Sequence, residues 1–423
     1  MILLKNDIFV LPTSNEDKYI IYSPLRGISF WANKKAAAIV QNYIEKGIEI
    51  PTEHTTLHKY IEDMKVMSVK EPTRKTAKKT TNDAVFVLSQ KCNLACSYCY
   101  ALSTRSQNTL CKEKIKTVVD FVLSNPSDGK KSFSFIGGGE PTVDWDLFVW
   151  AIEYIKSKSQ NQKLSLGITT NATLLDEKRV LWLKDKDIGV GISFDILPEI
   201  QNKQRPFPDK SKNSFDVVDK NIRLLIENER TKRIRSTITS DSVTLMPKMV
   251  QFVIDNYPQI KKLHFEPVTD PREDLKDYYG KFVEYFFPAR NIGAANGVNV
   301  YNSMTNCANR VQTRFCAGEF CVTPRGEIVT CHRVSSDDDE NFKNFCYGEI
   351  GDTIEINDNA AEYVDSVADA KMPRCKSCFA KWHCAGMCTN TRLLLSDEQL
   401  VLACDFTKTM IIKTLEEKLN KPS

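Results

Sequence analysis

Between residues 84 and 265 the sequence alternates short apolar runs with amphipathic segments, and this alternation limits the fold more than any other feature. Segments of helical periodicity, such as Asp144 to Ile155 and Ser214 to Ile226, separate runs typical of strands. Strands that alternate with helices predict parallel pairing and right-handed crossovers, and hence an α/β fold. The alternation by itself fits either an open doubly wound sheet or a barrel. The predicted strands are residues 84–88, 132–136, 164–169, 189–194, 234–238 and 262–265.

Three cysteines follow the first of these strands directly. Cys92, Cys96 and Cys99 have the spacing C-x3-C-x2-C. A loop with three thiolates can bind three irons of a cubane cluster and leave the fourth iron without a protein ligand, whereas four cysteines close the metal off. The sequence therefore predicts a reactive iron-sulfur site on this loop. The alternatives are a zinc loop or three unrelated buried thiols.

Composition excludes several classes of protein. The chain has 423 residues, of which 42% are hydrophobic and 26% charged, so it has ordinary globular composition and length for two or three domains. We find no secretory leader and no run of membrane-spanning length, which predicts a cytoplasmic protein without a membrane partner. In that compartment the 14 cysteines are expected to bind metal rather than form disulfides. A net charge of +4 without a basic, aromatic stripe argues against nucleic acid.

With a three-cysteine loop after its first strand, the chain resembles the radical S-adenosylmethionine (SAM) superfamily. The resemblance implies a partial (β/α)6 TIM-like barrel over residues 83–300, with the loop at the C-terminal mouth where such folds place their chemistry. It also implies that Cys92, Cys96 and Cys99 hold a [4Fe-4S] cluster whose open iron binds SAM. Reductive cleavage of SAM in this superfamily yields a 5'-deoxyadenosyl radical.

Further motifs occur where the superfamily binds SAM. The run Gly137 to Glu140, after the second strand, resembles its Gly-Gly-Glu motif, although a simple glycine turn is the alternative. Residues 170–172 resemble the Thr-Asn-Gly element of the superfamily, and residues 193–196 resemble its Ser-x-Asp-Gly element. Both depart from the usual pattern, because Ala172 and Ile196 stand where glycine is usual. Arg205 is equally compatible with a surface role. The SAM contacts implied by the resemblance are Tyr98, Gly138, Gly139, Glu140, Asn171, Ser193, Asp195 and Arg205.

The C-terminal third, residues 301–423, contains a second set of cysteines and resembles the SPASM extension of radical SAM enzymes. The resemblance implies auxiliary cluster I on Cys316, Cys321, Cys331 and Cys388, and auxiliary cluster II on Cys375, Cys378, Cys384 and Cys404. The expected cofactors are therefore three [4Fe-4S] clusters and SAM. Two structural zinc sites remain the alternative, because C-x2-C spacing suits zinc equally well. Cys111, Cys307 and Cys346 are interpreted as ordinary thiols.

The N-terminal region, residues 1–69, is separated from the barrel by a basic linker at residues 70–82. It contains three short β-rich runs at residues 8–11, 19–22 and 27–31, and helical patterns at about 34–45 and 56–67, with Asn33 as an N-cap. This order resembles the winged-helix-like domain that captures leader peptides by strand addition. An accessory α/β cap without a ligand is the alternative.

Radical SAM enzymes with SPASM extensions mostly act on peptides or proteins. The resemblance therefore implies an oxidoreductase that matures a ribosomally made precursor peptide by closing a thioether or carbon-carbon crosslink, with an external reductant such as flavodoxin or ferredoxin. One alternative is an anaerobic sulfatase maturase that makes formylglycine, although those enzymes place an aspartate where this chain has His332. Another is a non-catalytic iron-sulfur electron-transfer or peptide-binding protein. The sequence identifies no catalytic acid or base.

Overall fold

The computed structural model describes residues 3–69, 71–126, 129–160, 162–209, 212–270, 272 and 274–420. Lys70, where the predicted linker begins, and the outermost residues of both predicted terminal domains lie outside these ranges. The strands are β1 (Phe9–Pro12), β2 (Lys18–Ser23), β3 (Ile28–Asn33), β4 (Asp83–Phe86), β5 (Lys131–Phe135), β6 (Leu164–Thr170), β7 (Gly189–Ser193), β8 (Arg233–Ile238), β9 (Lys262–Pro267), β10 (Asn299–Tyr301), β11 (Cys321–Val322), β12 (Glu327–Val329), β13 (Cys346–Ile350) and β14 (Ile354–Ile356). The helices are α1 (Lys34–Lys46), α2 (Thr55–Val66), α3 (Lys112–Ser124), α4 (Trp145–Lys158), α5 (Glu177–Asp185), α6 (Pro198–Gln204), α7 (Ser214–Glu227), α8 (Met246–Asn256), α9 (Leu275–Ala295), α10 (Ser303–Cys307), α11 (Asp358–Asp369), α12 (Thr389–Leu394) and α13 (Asp397–Leu419).

The described residues divide into two compact units. The barrel unit contains those within 76–302 and 317–368, and the terminal unit contains those within 1–75, 303–316 and 369–423. These bounds differ from the predicted domains at 1–69, 83–300 and 301–423, because the N-terminal region shares a unit with part of the cysteine-rich region.

The barrel unit is a mixed α/β structure built on one eleven-stranded sheet. Strands β4 to β10 pair in parallel with their neighbours in chain order, and β11 joins β4 on the other side, also in parallel. An antiparallel extension then runs from β11 through β12, β13 and β14. The six predicted strands all occur, and the predicted α/β partial barrel is confirmed. The short β10 and the antiparallel extension were not predicted.

The two faces of the parallel strands differ in burial and chemistry. In β5, Phe133 and Phe135 are fully buried, whereas Ser132 and Ser134 between them are half-buried. Because successive side chains of a strand point to opposite faces, the phenylalanines pack beneath the helices and the serines face the inside of the barrel. The inward-facing side chains of β5 are therefore small and polar and do not form a packed apolar core.

The terminal unit is built around the antiparallel sheet β1-β2-β3. Helix α1 begins as predicted, because the Asn33 side chain accepts a hydrogen bond from Ala36 N at 2.9 Å. One hydrophobic cluster joins the sheet to α1 and α2. A second cluster joins Leu11, Ile20 and Tyr22 to residues far along the chain, including Phe379 and Ile411. The sheet is therefore buried on both faces.

A buried ion pair fixes the loop between β2 and β3 in the terminal unit. Arg26 Nη1 and Asp7 Oδ2 are 2.9 Å apart, and both side chains are almost fully buried. Arg26 Nε also donates to Met64 O at 2.9 Å, and Asp7 accepts from Ser23 Oγ at 2.7 Å. No helix within the described ranges is long and apolar enough to cross a bilayer.

Candidate metal and cofactor site

The three-cysteine loop follows β4, as predicted, and its thiols lie within electrostatic reach of one another. Burial is the main cause that raises the pKa of Cys92 and raises that of Cys96 to about 11. The charge of Cys99 raises both values further. A metal must therefore displace protons from these thiols when it binds, since thiolates are the ligands.

Arg105 is a site residue that the sequence motifs did not predict. Its Nη2 donates to Cys99 Sγ at 3.4 Å, and its Nη1 donates to Leu94 O at 2.7 Å. Its Nε is buried and has no hydrogen-bond acceptor among the residues that the structure describes. A guanidinium whose buried Nε lacks an acceptor, beside three thiols, fits an anionic iron-sulfur cluster, whose sulfides accept hydrogen bonds. The only sequence signal was an arginine six residues after the last cysteine.

The glycine run after β5 packs directly against the cysteine loop. Gly139 N donates to Ser89 O, and Glu140 N donates to Lys91 O, each at 2.8 Å. A Cβ atom on Gly139 would lie 1.9 Å from Lys91 O, so only glycine fits there. Gly138 has a φ of +63° and donates from its backbone N to Tyr100 Oη at 3.3 Å. The predicted Gly-Gly-Glu motif therefore holds two backbone segments together.

The Glu140 carboxylate lies at the buried end of this motif. Its Oε1 accepts from Thr142 N at 3.1 Å and from the Thr142 and Thr170 hydroxyls at 2.6 Å. Its Oε2 accepts from Asn171 N at 2.7 Å. Burial raises the pKa of Glu140 above its ordinary value, and these donors oppose that rise. Because Oε2 has one donor within the described part of the chain, it can accept another from a ligand ammonium.

Asn171 connects the loop after β6 to the cysteine loop. Its Nδ2 donates to Asn93 Oδ1 at 3.0 Å, and its Oδ1 accepts from Thr173 N at 3.0 Å and from Thr173 Oγ1 at 2.6 Å. Asn93 Nδ2 donates in turn to Thr173 Oγ1 at 2.7 Å. Asn93 and Thr173 were not predicted as site residues. These hydrogen bonds fix the cysteine loop against the loop that follows β6.

Asp195 is the centre of the largest polar network at the site and is fully buried. All of its lone-pair directions are used by protein donors, so it positions Tyr98 and Arg205 instead of presenting a free acceptor. The guanidinium carbon of Arg205 lies 5.3 Å from the centroid of the Tyr98 ring. The donors to the Asp195 carboxylate are Tyr98 Oη (2.7 Å), Gln204 Nε2 (2.8 Å), Arg205 Nε (3.1 Å), Ser236 Oγ (3.1 Å) and Thr237 N (3.3 Å).

The two departures from the glycine pattern keep the backbone conformation of glycine. Ala172 has a φ of +61° and Ile196 a φ of +65°, and both side chains are fully buried. A left-handed conformation costs an L-residue roughly 1–2 kcal/mol, so the surrounding structure must hold both loops in place. Ser193 ends β7 half-buried, and its side chain makes no hydrogen bond within the described ranges. Ser193 is thus left available to a ligand.

In the terminal unit, the four cysteines predicted for auxiliary cluster II lie close together. Burial is the main cause that raises the pKa values of Cys378, Cys384 and Cys404. Cys375 raises those of Cys378 and Cys404 through its charge, and Cys404 and Cys378 raise that of Cys384. In the described part of the chain, no group of three or more His, Cys, Asp or Glu side chains is arranged to hold a single metal ion.

The cysteines predicted for auxiliary cluster I belong to two different units. Cys321 lies on β11 in the barrel unit, where burial, Glu319 and Cys331 all raise its pKa. Cys316 and Cys388 lie in the terminal unit, so this ligand set stays a prediction. Beside Cys331, His332 binds Glu319 through its backbone N at 2.8 Å and its Nδ1 at 2.9 Å.

Residues 86–250 match the family model described as Radical SAM superfamily. These residues form a radical SAM domain. The match with the family model ends before the cysteine-rich region. It therefore supports the barrel and its cluster loop and does not include the C-terminal cysteines.

Individual proteins resemble longer parts of the chain. The radical SAM cyclopropyl synthase TigE of Paramaledivibacter caminithermalis is 21% identical over 434 residues, which cover 93% of this chain and 85% of TigE. A cysteine-type anaerobic sulfatase-maturating enzyme of Clostridium novyi is 23% identical over 269 residues, 57% of this chain and 71% of that enzyme. The structure of native anSMEcpe with bound AdoMet and Kp18Cys peptide matches with a TM-score of 0.68 at 22% identity, covering 80% of this chain and 99% of that one. Two further curated relatives are matched over about half of their own length, 57% and 52%.

Proposed function

We propose that this radical SAM protein modifies a ribosomally made precursor peptide, from which it abstracts hydrogen and in which it closes an intramolecular crosslink. One observation carries the proposal: the three-cysteine loop after β4 is hydrogen-bonded to the loops that follow the next three strands of the barrel. The connections run through Gly139, Asn171 and Asp195. A site ordered from four successive strands suits a cofactor that must be held rigidly.

The chain's own residues supply the binding of both cofactors. Cys92, Cys96 and Cys99 would hold the [4Fe-4S] cluster, and Arg105 would balance its charge. Glu140 would accept from the SAM ammonium through its Oε2, and Arg205 would bind the carboxylate with its Nη groups, since its Nε is already used by Asp195. When bound and reduced, the cluster and SAM supply a 5'-deoxyadenosyl radical, which abstracts hydrogen from an unactivated carbon.

The interior face of the barrel gives the substrate a polar surface beside this site. Backbone register aligns Ser193 with Arg235, Arg235 with His264, and His264 with Tyr301. His264 Nε2 lies 2.7 Å from Glu266 Oε2, and its ring stacks on Tyr301 with centroids 4.8 Å apart. Arg235 is exposed and forms no ion pair within the described ranges. This row suits the amide groups and acidic side chains of a peptide.

The peptide class of the substrate is supported by the comparisons. The anSMEcpe structure contains a bound peptide, and TigE, matched over most of this chain, is by its name a synthase that closes a ring. Closure of a crosslink between two groups of one peptide is a net oxidation, in which two hydrogen atoms are lost. One hydrogen atom passes to the deoxyadenosyl radical, and the second leaves as a proton and one electron, which a flavin or iron-sulfur electron carrier accepts. A carrier of the same class donates the electron that SAM cleavage consumes. The bond formed is a thioether or a carbon-carbon bond.

The β1-β2-β3 sheet with α1 and α2 supports a role in leader-peptide capture. Strand β3 is an edge of this sheet. Beside that edge, Phe30 of β3 stacks on Tyr60 of α2 with ring centroids 5.2 Å apart, and Tyr60 is 50% exposed. An edge strand with an adjacent aromatic surface suits an added peptide strand. Tyr60→Ala should weaken binding of the precursor, whereas Leu181→Ala, at the 49% exposed Leu181 of α5, should not.

The test of the cofactor assignment is anaerobic reconstitution with iron, sulfide and zinc counted in the same sample. Wild-type protein should hold about twelve irons, and a Cys92/Cys96/Cys99→Ala variant about eight. Cys111→Ala, at an exposed thiol outside the site, is the matched control and should retain all of them. About four irons with stoichiometric zinc would show that the C-terminal cysteines are structural, and would remove the oxidative step from the proposal.

The test of the reaction is reductive SAM cleavage with dithionite, first alone and then with candidate precursor peptides. Formation of deoxyadenosine together with loss of two hydrogen atoms from the peptide is the expected result. Absence of deoxyadenosine under these conditions would refute an enzymatic function. Mass spectrometry after partial proteolysis would then distinguish a crosslink from an oxidised single residue.

Formylglycine formation is the second candidate, favoured by the match that covers 99% of the anSMEcpe chain. The position of His332 argues against this candidate. Its backbone N and its Nδ1 both bind Glu319, so the imidazole is held in a fixed pair beside Gly137. A peptide aldehyde in the product, trapped by a hydrazine, would establish it.

A further inference from the structure

His264 and Glu266 of β9 face the inside of the barrel. On the same strand Leu263 and Phe265 are fully buried, whereas His264 and Glu266 are half-buried. Because successive side chains of a strand point to opposite faces, the apolar pair packs beneath the helices and the polar pair points inward. Both polar residues lie close to the carboxyl end of β9, at the end of the barrel where the cysteine loop follows β4.

This polar pair lies near residues that are predicted to contact SAM. Register through β8 places His264 two strands from Ser193, where β7 ends. Adjacent strands are ~4.8 Å apart, so the backbones at these two residues are separated by roughly 10 Å. Glu266 aligns with Thr237, whose backbone N donates to Asp195 at 3.3 Å. The pair is therefore one strand away from the polar network around Asp195.

His264 and Glu266 form a dyad that fixes the direction of the imidazole. His264 Nε2 and Glu266 Oε2 are 2.7 Å apart, and the two side chains are 15% and 21% exposed. A carboxylate only accepts hydrogen bonds, so Nε2 carries the proton and Nδ1 carries the lone pair. The ring also stacks on Tyr301 at an interplanar angle of 14°. Nδ1 makes no hydrogen bond to any residue that the structure describes.

Closure of a crosslink requires a group that takes up a proton. A thioether forms with loss of the thiol proton, and a bond to an aromatic ring forms with loss of a proton from the ring carbon. Two carboxylates of the site are already engaged: Glu140 accepts four hydrogen bonds and is assigned to the SAM ammonium, and Asp195 accepts five. The Nδ1 lone pair of His264 is a basic position that protein donors leave open.

His332 and Glu319 form a second pair of the same kind in the barrel unit. There the ring is turned the other way, because Nδ1 binds the carboxylate at 2.9 Å. A Cβ atom on Gly137 would lie 3.2 Å from His332 Cδ2, the ring carbon next to Nε2. That edge of the ring is therefore packed against the glycine run. His332 is the rival that an experiment must distinguish from His264.

We propose that His264 Nδ1 is the proton acceptor for crosslink closure and that Glu266 positions it. The proposal rests on the proposed function, because it needs a peptide from which hydrogen has been abstracted. One hydrogen atom leaves a substrate carbon for the deoxyadenosyl radical, and Nδ1 takes the proton of the thiol or ring carbon as the new bond forms. The remaining electron passes to an oxidised flavin or iron-sulfur carrier. Glu266 stabilises the imidazolium that results, as a carboxylate does in other oriented histidine pairs.

The first experiment tests the dyad without any peptide. Reconstituted protein labelled with nitrogen-15 at its histidines is studied by NMR, and His264→Gln identifies the signals of His264 by their loss. The expected result is a proton on Nε2 and a bare Nδ1. A proton on Nδ1 would overturn the proposal, because the nitrogen that faces the substrate could not accept another.

The second experiment measures crosslink formed per deoxyadenosine, with a precursor peptide that the wild type crosslinks. His264→Gln keeps a donor for Glu266 but removes the base. Deoxyadenosine should still form, whereas the crosslink per deoxyadenosine should fall at least ~10-fold. In deuterium oxide the unclosed peptide radical gains one electron from dithionite and one deuteron, so the recovered peptide should carry one carbon-bound deuterium. Added imidazole should restore closure in His264→Ala.

Glu266→Gln tests the positioning role. It keeps an acceptor for Nε2 but removes the charge that stabilises the imidazolium, so its crosslink per deoxyadenosine should lie between those of the wild type and His264→Gln. SAM affinity should stay unchanged, which a general structural defect would not allow. An unchanged ratio in Glu266→Gln would remove Glu266 from the proposal.

Two further histidines provide the controls. His54→Gln makes the same change at a half-buried histidine of the terminal unit whose side chain forms no cap hydrogen bond, and should keep the wild-type ratio. A wild-type ratio in His264→Gln, or a lowered ratio in His332→Gln alone, would overturn the proposal. So would loss of deoxyadenosine in both His264→Gln and His264→Ala, since His264 would then serve SAM binding. If the wild type crosslinks no peptide, the proposed function has failed, and the NMR experiment still tests the dyad.

Discussion

Replacement of Gly139 by alanine is the sharpest test of how the cofactor site is assembled. Gly139 lies where the glycine run after β5 crosses the cysteine loop. The new Cβ would lie 1.9 Å from Lys91 O, and 2.6 Å and 2.7 Å from the carbonyl carbons of Lys91 and Gln90. All three atoms belong to backbone, so a side-chain rotation cannot relieve the overlap. The two loops must move apart.

The size of that movement follows from the contact. Cβ atoms essentially never come closer than 3.0 Å to such atoms, so the loops must separate by at least 3.0 − 1.9 = 1.1 Å. Movement by this amount along the bonds would stretch the hydrogen bonds from Gly139 N to Ser89 O and from Glu140 N to Lys91 O from 2.8 Å to about 3.9 Å, beyond bonding distance. Two buried bonds lost at about 1–3 kcal/mol each give a destabilisation of about 2–6 kcal/mol.

The Gly139→Ala substitution should also weaken the binding of SAM. Glu140 would move with the glycine run, so its Oε2 would no longer meet Asn171 N, and SAM affinity should fall at least ~10-fold. Denaturant unfolding under anaerobic conditions measures the first effect, and equilibrium dialysis of SAM measures the second. A loss of less than about 1 kcal/mol together with unchanged SAM affinity would refute the reasoning.

Gly280 provides the matched control. It is exposed within α9, and a Cβ there would meet nothing within 4 Å. Gly280→Ala should stabilise the protein by about 0.5–1 kcal/mol, because alanine is the better helix former. Destabilisation by both variants would mean that the overlap at Gly139 is not the cause.

Four further predictions concern individual side chains. Asp195→Asn leaves a buried arginine without its counter-charge and should cost about 3–5 kcal/mol and weaken SAM binding; dialysis showing wild-type affinity would contradict this. Ala172→Gly should change unfolding free energy by less than about 1 kcal/mol, because relief of a strain of roughly 1–2 kcal/mol offsets the lost methyl and the added chain entropy. Asp7→Asn removes the charge that pairs with buried Arg26 and should destabilise by about 3–5 kcal/mol in thermal unfolding, where an unchanged transition would contradict it. Glu140→Gln should remove a pH dependence. Because the folded-state pKa of the wild-type carboxyl lies above its ordinary 4.5, this carboxyl stabilises the fold most below that value and less as pH rises through the folded-state pKa, so the stability difference from the variant should change in that direction as pH rises above about 4.5.

The local pattern of the sequence was sufficient for the barrel strands and their loops. Period-two burial, as in Phe133 and Phe135, and glycines after the strands are short-range signals. The N-cap at Asn33 was likewise visible, because a cap involves residues only three positions apart. Each of these features depends on neighbours in the chain, which is why sequence alone was sufficient.

The packing of the terminal unit was not predictable in the same way. Ile20 and Tyr22 share one hydrophobic cluster with Phe379 and Ile411, more than three hundred residues away. Periodicity in the sequence does not indicate a contact between residues so far apart. The basic linker at residues 70–82 predicted instead that the N-terminal region is a separate domain. Removal of residues 1–69 would therefore expose part of the C-terminal core, and the Tyr60→Ala variant is the cleaner test of leader capture.

The site itself shows why a motif does not define the role of each of its residues. Asp195 occupies a position expected to contact SAM, yet all its acceptor capacity is used by protein donors. Arg205, held by Asp195 through Nε, keeps its Nη donors for a ligand. A substitution at either position should weaken SAM binding, but for different reasons: loss of Asp195 should lower stability and affinity together, whereas Arg205→Lys keeps a positive charge beside Asp195 and should lower affinity more than stability. Measuring both quantities for both variants separates a residue that positions from one that binds.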